Sequence, residues 1–359
     1  MDTPVLPPLL SFVLLLGAFF VWICVPLIPA FMELINPRDA APLNAVGNDA
    51  GRLTFFAESY TQLATQEGLR GAMVPPRLSD GSVVRSHSRG RPISAAPKSI
   101  TDMVVLMDGE PPAENSVLEG ECLARVTIRG NPGVTYRALL GQRDILLGHD
   151  STILRWVHAR GRLDVESGTR LLGRATSDQS ITLATDVEFD RLEAATIHVA
   201  GADPVGSTAP ADLDAPRGGY RRFTPAKSVS MGPNYWRVTG DLVIPTGAEL
   251  VGSVVATGSI IVSQGARVSG SIKAHGDVRV QSGAWLLGSC AARGRIAIEA
   301  GSRVSGPIIS EEEIVIESAT VGVVGEMTTV TAPTVLLMPG TTVHGAIMAA
   351  DGGMTLSSS

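Results

Sequence analysis

The chain has 359 residues, enough for two or so domains, yet aromatic residues make up only 4% and glycine reaches 39 positions, a composition that suits a coil filled by Val, Ile, Leu and Ala. Its net charge of −6 gives no electrostatic ground for a nucleic-acid partner. Three cysteines, Cys24, Cys122 and Cys290, lie far apart with no C-x-x-C pair, which argues against both a disulfide framework and a zinc site.

After a short N-terminal tail (1–8), no charged residue occurs between Thr3 and Met32. The stretch 9–32, LLSFVLLLGAFFVWICVPLIPAFM, is long enough as a helix to cross a hydrocarbon core of about 30 Å. A transmembrane helix is predicted here. A cleaved signal peptide would have a basic n-region, a shorter apolar run and a small-residue cleavage site. A lipoprotein reading of Cys24 is opposed by the bulky Val21-Trp22-Ile23 before it. Only the α-amino group is positive ahead of the span, whereas Arg38 and Arg52 come after it, so the positive-inside bias places the C-terminal side in the cytoplasm, with a single pass through the inner membrane. Pro26 and Pro29 kink the helix or mark its exit.

Residues 33–115 read as a partly disordered tether. Within it, Phe56, Tyr60, Leu63 and Ala64 fall at helical spacing, predicting a short amphipathic helix that either lies near the membrane or docks on the coil. From Arg70 to Lys98 the chain carries Arg77, Arg85, Arg89 and Arg91 among Pro, Gly and Ser without an apolar period, as expected of a solvated linker or of a basic segment drawn to anionic headgroups.

Residues 116–200 show a degenerate eighteen-residue phase. Val126, Ile128, Val134 and Ala138 open it; Ile145, Leu147, Ser151, Ile153, Val157 and Ala159 continue it. Leu163, Val165, Thr169, Leu171 and Ala175 come next, then Ile181, Leu183, Val187 and Phe189, after which the register decays. All are expected to point inward. The stretch 201–236 holds five prolines without alternation and the basic-aromatic cluster Tyr220-Arg221-Arg222-Phe223, and it reads as a solvated linker or insertion.

The clearest pattern occupies 237–350. GDLVIPTGAELVGSVVAT, GSIIVSQGARVSGSIKAH, GDVRVQSGAWLLGSCAAR and GRIAIEAGSRVSGPIIS begin at Gly240, Gly258, Gly276 and Gly294, an exact period of eighteen residues. Stacked coils need such regularity because each lies on the one before. The predicted core is Leu242, Ile244, Leu250, Ile260, Val262, Val268, Ile272, Val278, Val280, Leu286, Ile296, Ile298 and Val304. Within each pair the spacing is two, the strand period, and pairs recur every six residues, so each coil makes three short strands and a triangular, all-β solenoid results. Gly247, Gly265, Gly283 and Gly301 form one corner row and Gly252, Gly270, Gly288 and Gly306 another, where a positive φ or close approach of coils excludes a side chain.

The units Val268-Ser269-Gly270-Ser271-Ile272-Lys273-Ala274 and Val343-His344-Gly345-Ala346-Ile347-Met348-Ala349 resemble those of the bactofilins, bacterial polymer-forming cytoskeletal proteins built on a small β-helix. The resemblance covers about the last third of the chain. It implies a right-handed triangular β-helix, filaments formed end to end without nucleotide, and membrane association. The degenerate first half departs from the usual single compact domain.

The last good coil, with Val335, Leu337, Val343 and Ile347, is succeeded only by the tail 351–359, read as disordered and too poor in apolar residues to cap it. This end is the candidate assembly surface. No catalytic, cofactor-binding or metal-ligating constellation emerges: His149, His158, His198, His275 and His344 are scattered, Glu311, Glu312 and Glu313 read as a solvated turn, and no phosphate loop is present. The expectation is a non-enzymatic scaffold without cofactor, partnered by itself, by the membrane and by client proteins of the envelope or cell-shape machinery. Two alternatives stand beside it. A hexapeptide-repeat acyltransferase would share the triangular coil but place a small residue two before every aliphatic one, which holds for Ala266 and Val268 and fails for Ile260 and Val262. A polysaccharide-binding β-helix would carry an outward ladder of acidic or aromatic side chains, whereas the outward row Glu249, Arg267, Trp285, Arg303 reads as coil-to-coil pairing.

Overall fold

The computed structural model describes residues 15–17, 19, 25, 54–71, 73–88, 99–100, 102–201, 219–226 and 228–357. The chain divides into two units, Met1–Asn44 and Ala45–Ser359. The span expected over 9–32 falls outside the described residues apart from 15–17, 19 and 25, as do Cys24 and residues 202–218 of the linker. Among the described residues no helix is long and apolar enough to cross a membrane.

The second unit is a β-solenoid of about 13 turns. Three short strands per turn pair in parallel with their equivalents one turn on, so three rows of inward side chains run along its length. In the C-terminal half one row is Leu242, Ile260, Val278, Ile296, Ile314 and Val335. A second is Leu250, Val268, Leu286, Val304, Val321 and Val343. The third is Val254, Ile272, Cys290, Ile308, Val330 and Ile347. All thirteen core residues predicted from the period are buried. The two glycine rows act differently. Gly265 has φ +63°, a conformation that a side chain strains, whereas a Cβ at Gly270 would collide with the carbonyl oxygen of Gly252 in the preceding turn.

The N-terminal half is built alike, with rows Leu118, Tyr136, Ile153, Leu171, Phe189 and Cys122, Leu139, Val157, Ala175, Leu192. The third row is Ile128, Ile145, Leu163, Ile181 and Ile197. Its turns begin well before residue 116: Val84–His87 pairs with Met103–Leu106, which pairs with the strand Val117–Ala124. Two residues of the expected phase change sides. Val126, between the strands Val117–Ala124 and Ile128–Arg129, is 38% exposed, and Ala138 faces outward because bulges between Leu118 and Glu121 and between Tyr136 and Ala138 shift the register there. Each bulge inserts a residue on one strand and reverses the parity of the residues beyond it, so Tyr136 and Leu139 take the inward places.

The amphipathic stretch in the expected tether is the helix Phe55–Gln66, and it docks on the coil. Ala57, Tyr60 and Ala64 bury themselves against the outward side chains Val105, Leu123, Ala138, Leu140 and Trp156, forming a second apolar cluster outside the solenoid wall. The Tyr60 and Trp156 rings meet edge to face at 5.7 Å.

The region expected as linker also contributes structure. Arg221–Phe223 pairs with Ala248–Leu250 as the first rung of one row, so the basic-aromatic cluster is a strand rather than a loop. Ser228–Gly232 and Tyr235–Val238 form an antiparallel hairpin on the first C-terminal turn. At the other limit, the last strand runs Thr342–Thr355, through most of the tail expected to be disordered.

Candidate functional site

The two halves meet tail to tail. Glu188–Val199, the last strand of the first half, pairs antiparallel with Thr342–Thr355, the last strand of the second: Phe189 lies opposite Gly353, Leu192 opposite Ile347, and Ile197 opposite Val343. All three faces cross this seam, and one apolar core runs unbroken from Ile100 to Ala349. Chain direction reverses there while the stacking of apolar side chains continues. The end carrying Val335, Leu337, Val343 and Ile347, expected to be open, is therefore covered within the same chain: Val335 and Leu337 pair with Gly353 and Thr355 in the penultimate turn, and Val343 and Ile347 lie on the seam itself. The N-terminal half supplies the cap that the short tail lacks.

The seam is locally self-complementary. Each strand carries a Thr-aliphatic-His triplet, Thr196-Ile197-His198 and Thr342-Val343-His344. His344 Nδ1 lies 3.2 Å from Thr196 Oγ1, and His198 Nδ1 lies 3.2 Å from Thr342 Oγ1. At one edge the Val187 amide donates to Thr355 Oγ1 at 2.8 Å, and that hydroxyl donates to the Ala184 carbonyl at 2.7 Å. At the other the Gly340 amide donates to the Val199 carbonyl at 2.9 Å. Burial lowers the pKa of His198, and burial, opposed by the Asp178 carboxylate, lowers that of His158 on the adjoining face. A histidine whose folded pKa lies below its unfolded value of about 6.5 takes up protons on unfolding. Its stabilising contribution is thus complete above that value and is lost as pH falls toward the folded one. The melting temperature is expected to drop between about pH 7 and pH 5. A His198→Gln variant should show a shallower drop in the same thermal scan, and an unchanged profile would exclude His198 as a source.

Two of the histidines that look partnerless in the sequence, His149 and His158, have partners one turn away. His149 sits between Ser167 Oγ, 3.0 Å from its Nδ1, and Glu166 Oε2, 3.1 Å from its Nε2, at an exposed corner. His158 is held between Thr176 Oγ1 at 2.8 Å and Asp178 Oδ1 at 3.5 Å, with the threonine buried. Both sets put a hydroxyl on Nδ1 and a carboxylate on Nε2, the reverse of a hydrolase triad, where the nucleophile faces Nε2. The missed signal is the coil period: residues 17 to 20 apart are neighbours. Glu311 and Glu313 likewise face Arg293 and Arg295, at 4.0 and 2.8 Å, rather than forming only a solvated turn. Among the described residues no group of three or more His, Cys, Asp or Glu side chains is placed to hold a metal ion.

The outward row Glu249, Arg267, Trp285, Arg303 is a stacked ladder. Arg267 lies 3.4 Å from Glu249, and its guanidinium sits 5.0 Å from the Trp285 ring and 5.9 Å from that of Tyr220. Beyond its first rung the C-terminal half presents a sheet edge with no further strand paired to it among the described residues. Among the described residues Ser228–Gly232 pairs only with Tyr235–Val238, and Val229 and Met231 on it are 62% and 49% exposed. An edge of this kind can extend by pairing with a further strand.

Comparison with protein-family models, with curated proteins and with solved structures finds no match for the chain.

Proposed function

We propose that the chain is a membrane-anchored, bactofilin-like scaffold: a right-handed triangular β-helix, held at the inner membrane by residues 9–32, that self-assembles without nucleotide and positions envelope or cell-shape proteins on the cytoplasmic side. The observation that carries this reading is the edge Ser228–Gly232, which has no further strand partner among the described residues and carries two exposed apolar side chains. The opposite end of the same half is consumed by the seam, so the expected assembly surface moves from Val343 and Ile347 to the hairpin. A second copy is the natural occupant because antiparallel pairing of this edge with itself satisfies the backbone groups of both chains and covers Val229 and Met231 reciprocally.

Light scattering on the full chain in nonionic detergent, over a range of concentrations without nucleotide, tests this. The wild type should grow in mass with concentration, and Val229→Lys/Met231→Lys should hold it at the smallest species, since inward or edge lysines block strand addition. A wild type of constant single-chain mass would overturn the assembly reading. Growth untouched by the lysine pair would move assembly to another surface.

A further inference from the structure

Along the solenoid, several arginines meet carboxylates on neighbouring turns. Arg170 meets Glu188 at 2.8 Å, Arg267 meets Glu249 at 3.4 Å and Arg295 meets Glu313 at 2.8 Å. One corner of the N-terminal half gathers three arginines that have no such partner among the described residues. A groove of about 720 Å³ is lined there by Arg143, Arg160 and Arg162 with Gln142, Gln179 and Asp144. Among the described residues none of the three arginines has a carboxylate within ion-pair distance. Asp144 uses Oδ1 to accept from the Arg162 amide at 2.8 Å, and Asp178, at the same corner one turn on, faces His158.

Positive charge also presses on this corner from outside the wall. Leaving the helix Phe55–Gln66, the chain brings Arg70 alongside, anchored by Arg125, which donates to the carbonyls of Arg70 at 3.0 Å and Gly71 at 2.8 Å. Two guanidinium nitrogens of Arg70 and Nε2 of Gln142 are buried without hydrogen-bond partners. The pKa of Arg70 is lowered by burial and then by Arg160 nearby. Three arginines thus line one groove with Arg70 close to Arg160, and the buried Gln142 Nε2 beside them is a donor in want of an acceptor. An arrangement of this kind is destabilising by itself and is relieved by a bound anion.

We infer that this corner is a binding groove for a phosphate-bearing anion, with Arg143, Arg160 and Arg162 as the ligating side chains. Guanidinium groups present paired donors that match phosphate oxygens, and their placement on successive turns spaces them to grip one compact anion from two levels. The same chemistry would serve a phospholipid headgroup or a free phosphate compound. The inference does not depend on self-assembly.

Calorimetric titration of the full chain in nonionic detergent, at fixed ionic strength, distinguishes these sources. The probes are inorganic pyrophosphate and dihexanoyl phosphatidylglycerol, with dihexanoyl phosphatidylcholine as the zwitterionic control. Binding of pyrophosphate alone assigns the groove to a free phosphate compound; binding of the phosphatidylglycerol, and not of the control, assigns it to a headgroup. In either case Arg143→Gln/Arg160→Gln/Arg162→Gln should weaken binding by at least about tenfold, the effect of losing one or more charge-assisted hydrogen bonds. Should the triple variant lose its β-sheet circular dichroism, Arg162→Gln alone should still weaken binding severalfold. The inference fails if neither anion binds, or if the folded variants bind as the wild type does.

Discussion

A carboxylate in place of Val268 is expected to unfold the C-terminal half of the solenoid. Val268 is fully buried between Leu250 and Leu286 on the turns either side, in a row that is aliphatic from Leu250 to Val343. An aspartate there has no partner to offset its desolvation, and the penalty of several kcal/mol is comparable with the whole stability of a domain, about 5 to 15 kcal/mol. The architecture amplifies the damage. Each turn is held only by its two neighbours, so one disrupted turn loses two interfaces at once and cuts the stack in the middle. Val268→Asp should lower the melting temperature by about 10 °C or more and diminish the β-sheet circular dichroism. An unchanged signal and melting temperature would refute the inward placement of this row.

That row is legible in the sequence because parallel stacking in register writes itself into the chain. If residue n points inward and its partner one turn on is n + 18, the apolar pattern must repeat at that period, and it does from Leu242 to Val304. The N-terminal half is legible in outline and misleading in detail. Its bulges make some turns seventeen residues long, as between Ile128 and Ile145, so the parity slips and Ala138 is mistaken for Leu139. Met103–Leu106 escapes notice for another reason. The docked helix buries its outer face as well, so all four residues are buried and the alternation that marks a one-sided strand disappears. The seam leaves no periodic trace, since antiparallel and parallel partners present the same apolar residues inward. Only the repeated Thr-aliphatic-His triplet hints at it, and nothing local says that two triplets almost 150 residues apart should meet.

Opening the seam is expected to split the molecule into two independently melting halves. The position of choice is Gly353, which lies opposite Phe189 on the other strand. A Cβ built there would collide with the Phe189 ring, and that ring is 1% exposed, fixed within the apolar core and without space to withdraw. Gly353→Val therefore forces Glu188–Val199 and Thr342–Thr355 apart, and with them the pairs Leu192 with Ile347 and Ile197 with Val343. Calorimetry should show one cooperative transition in the wild type and two in the variant, because the halves then share no interface. Both exposed ends would present unpaired strand edges above an apolar interior, so the variant should also associate more strongly with rising concentration than the wild type does. Phe189→Ala supplies the control for a seam-specific clash. It loses packing on its own, at about 3–5 kcal/mol, but in the double variant the valine enters the space that the ring vacates. The double variant should be more stable than the two single effects sum to, by about 1 kcal/mol or more, as for side chains in direct contact. A single transition in Gly353→Val, or strict additivity in the double variant, would show that the two halves are not joined at these residues.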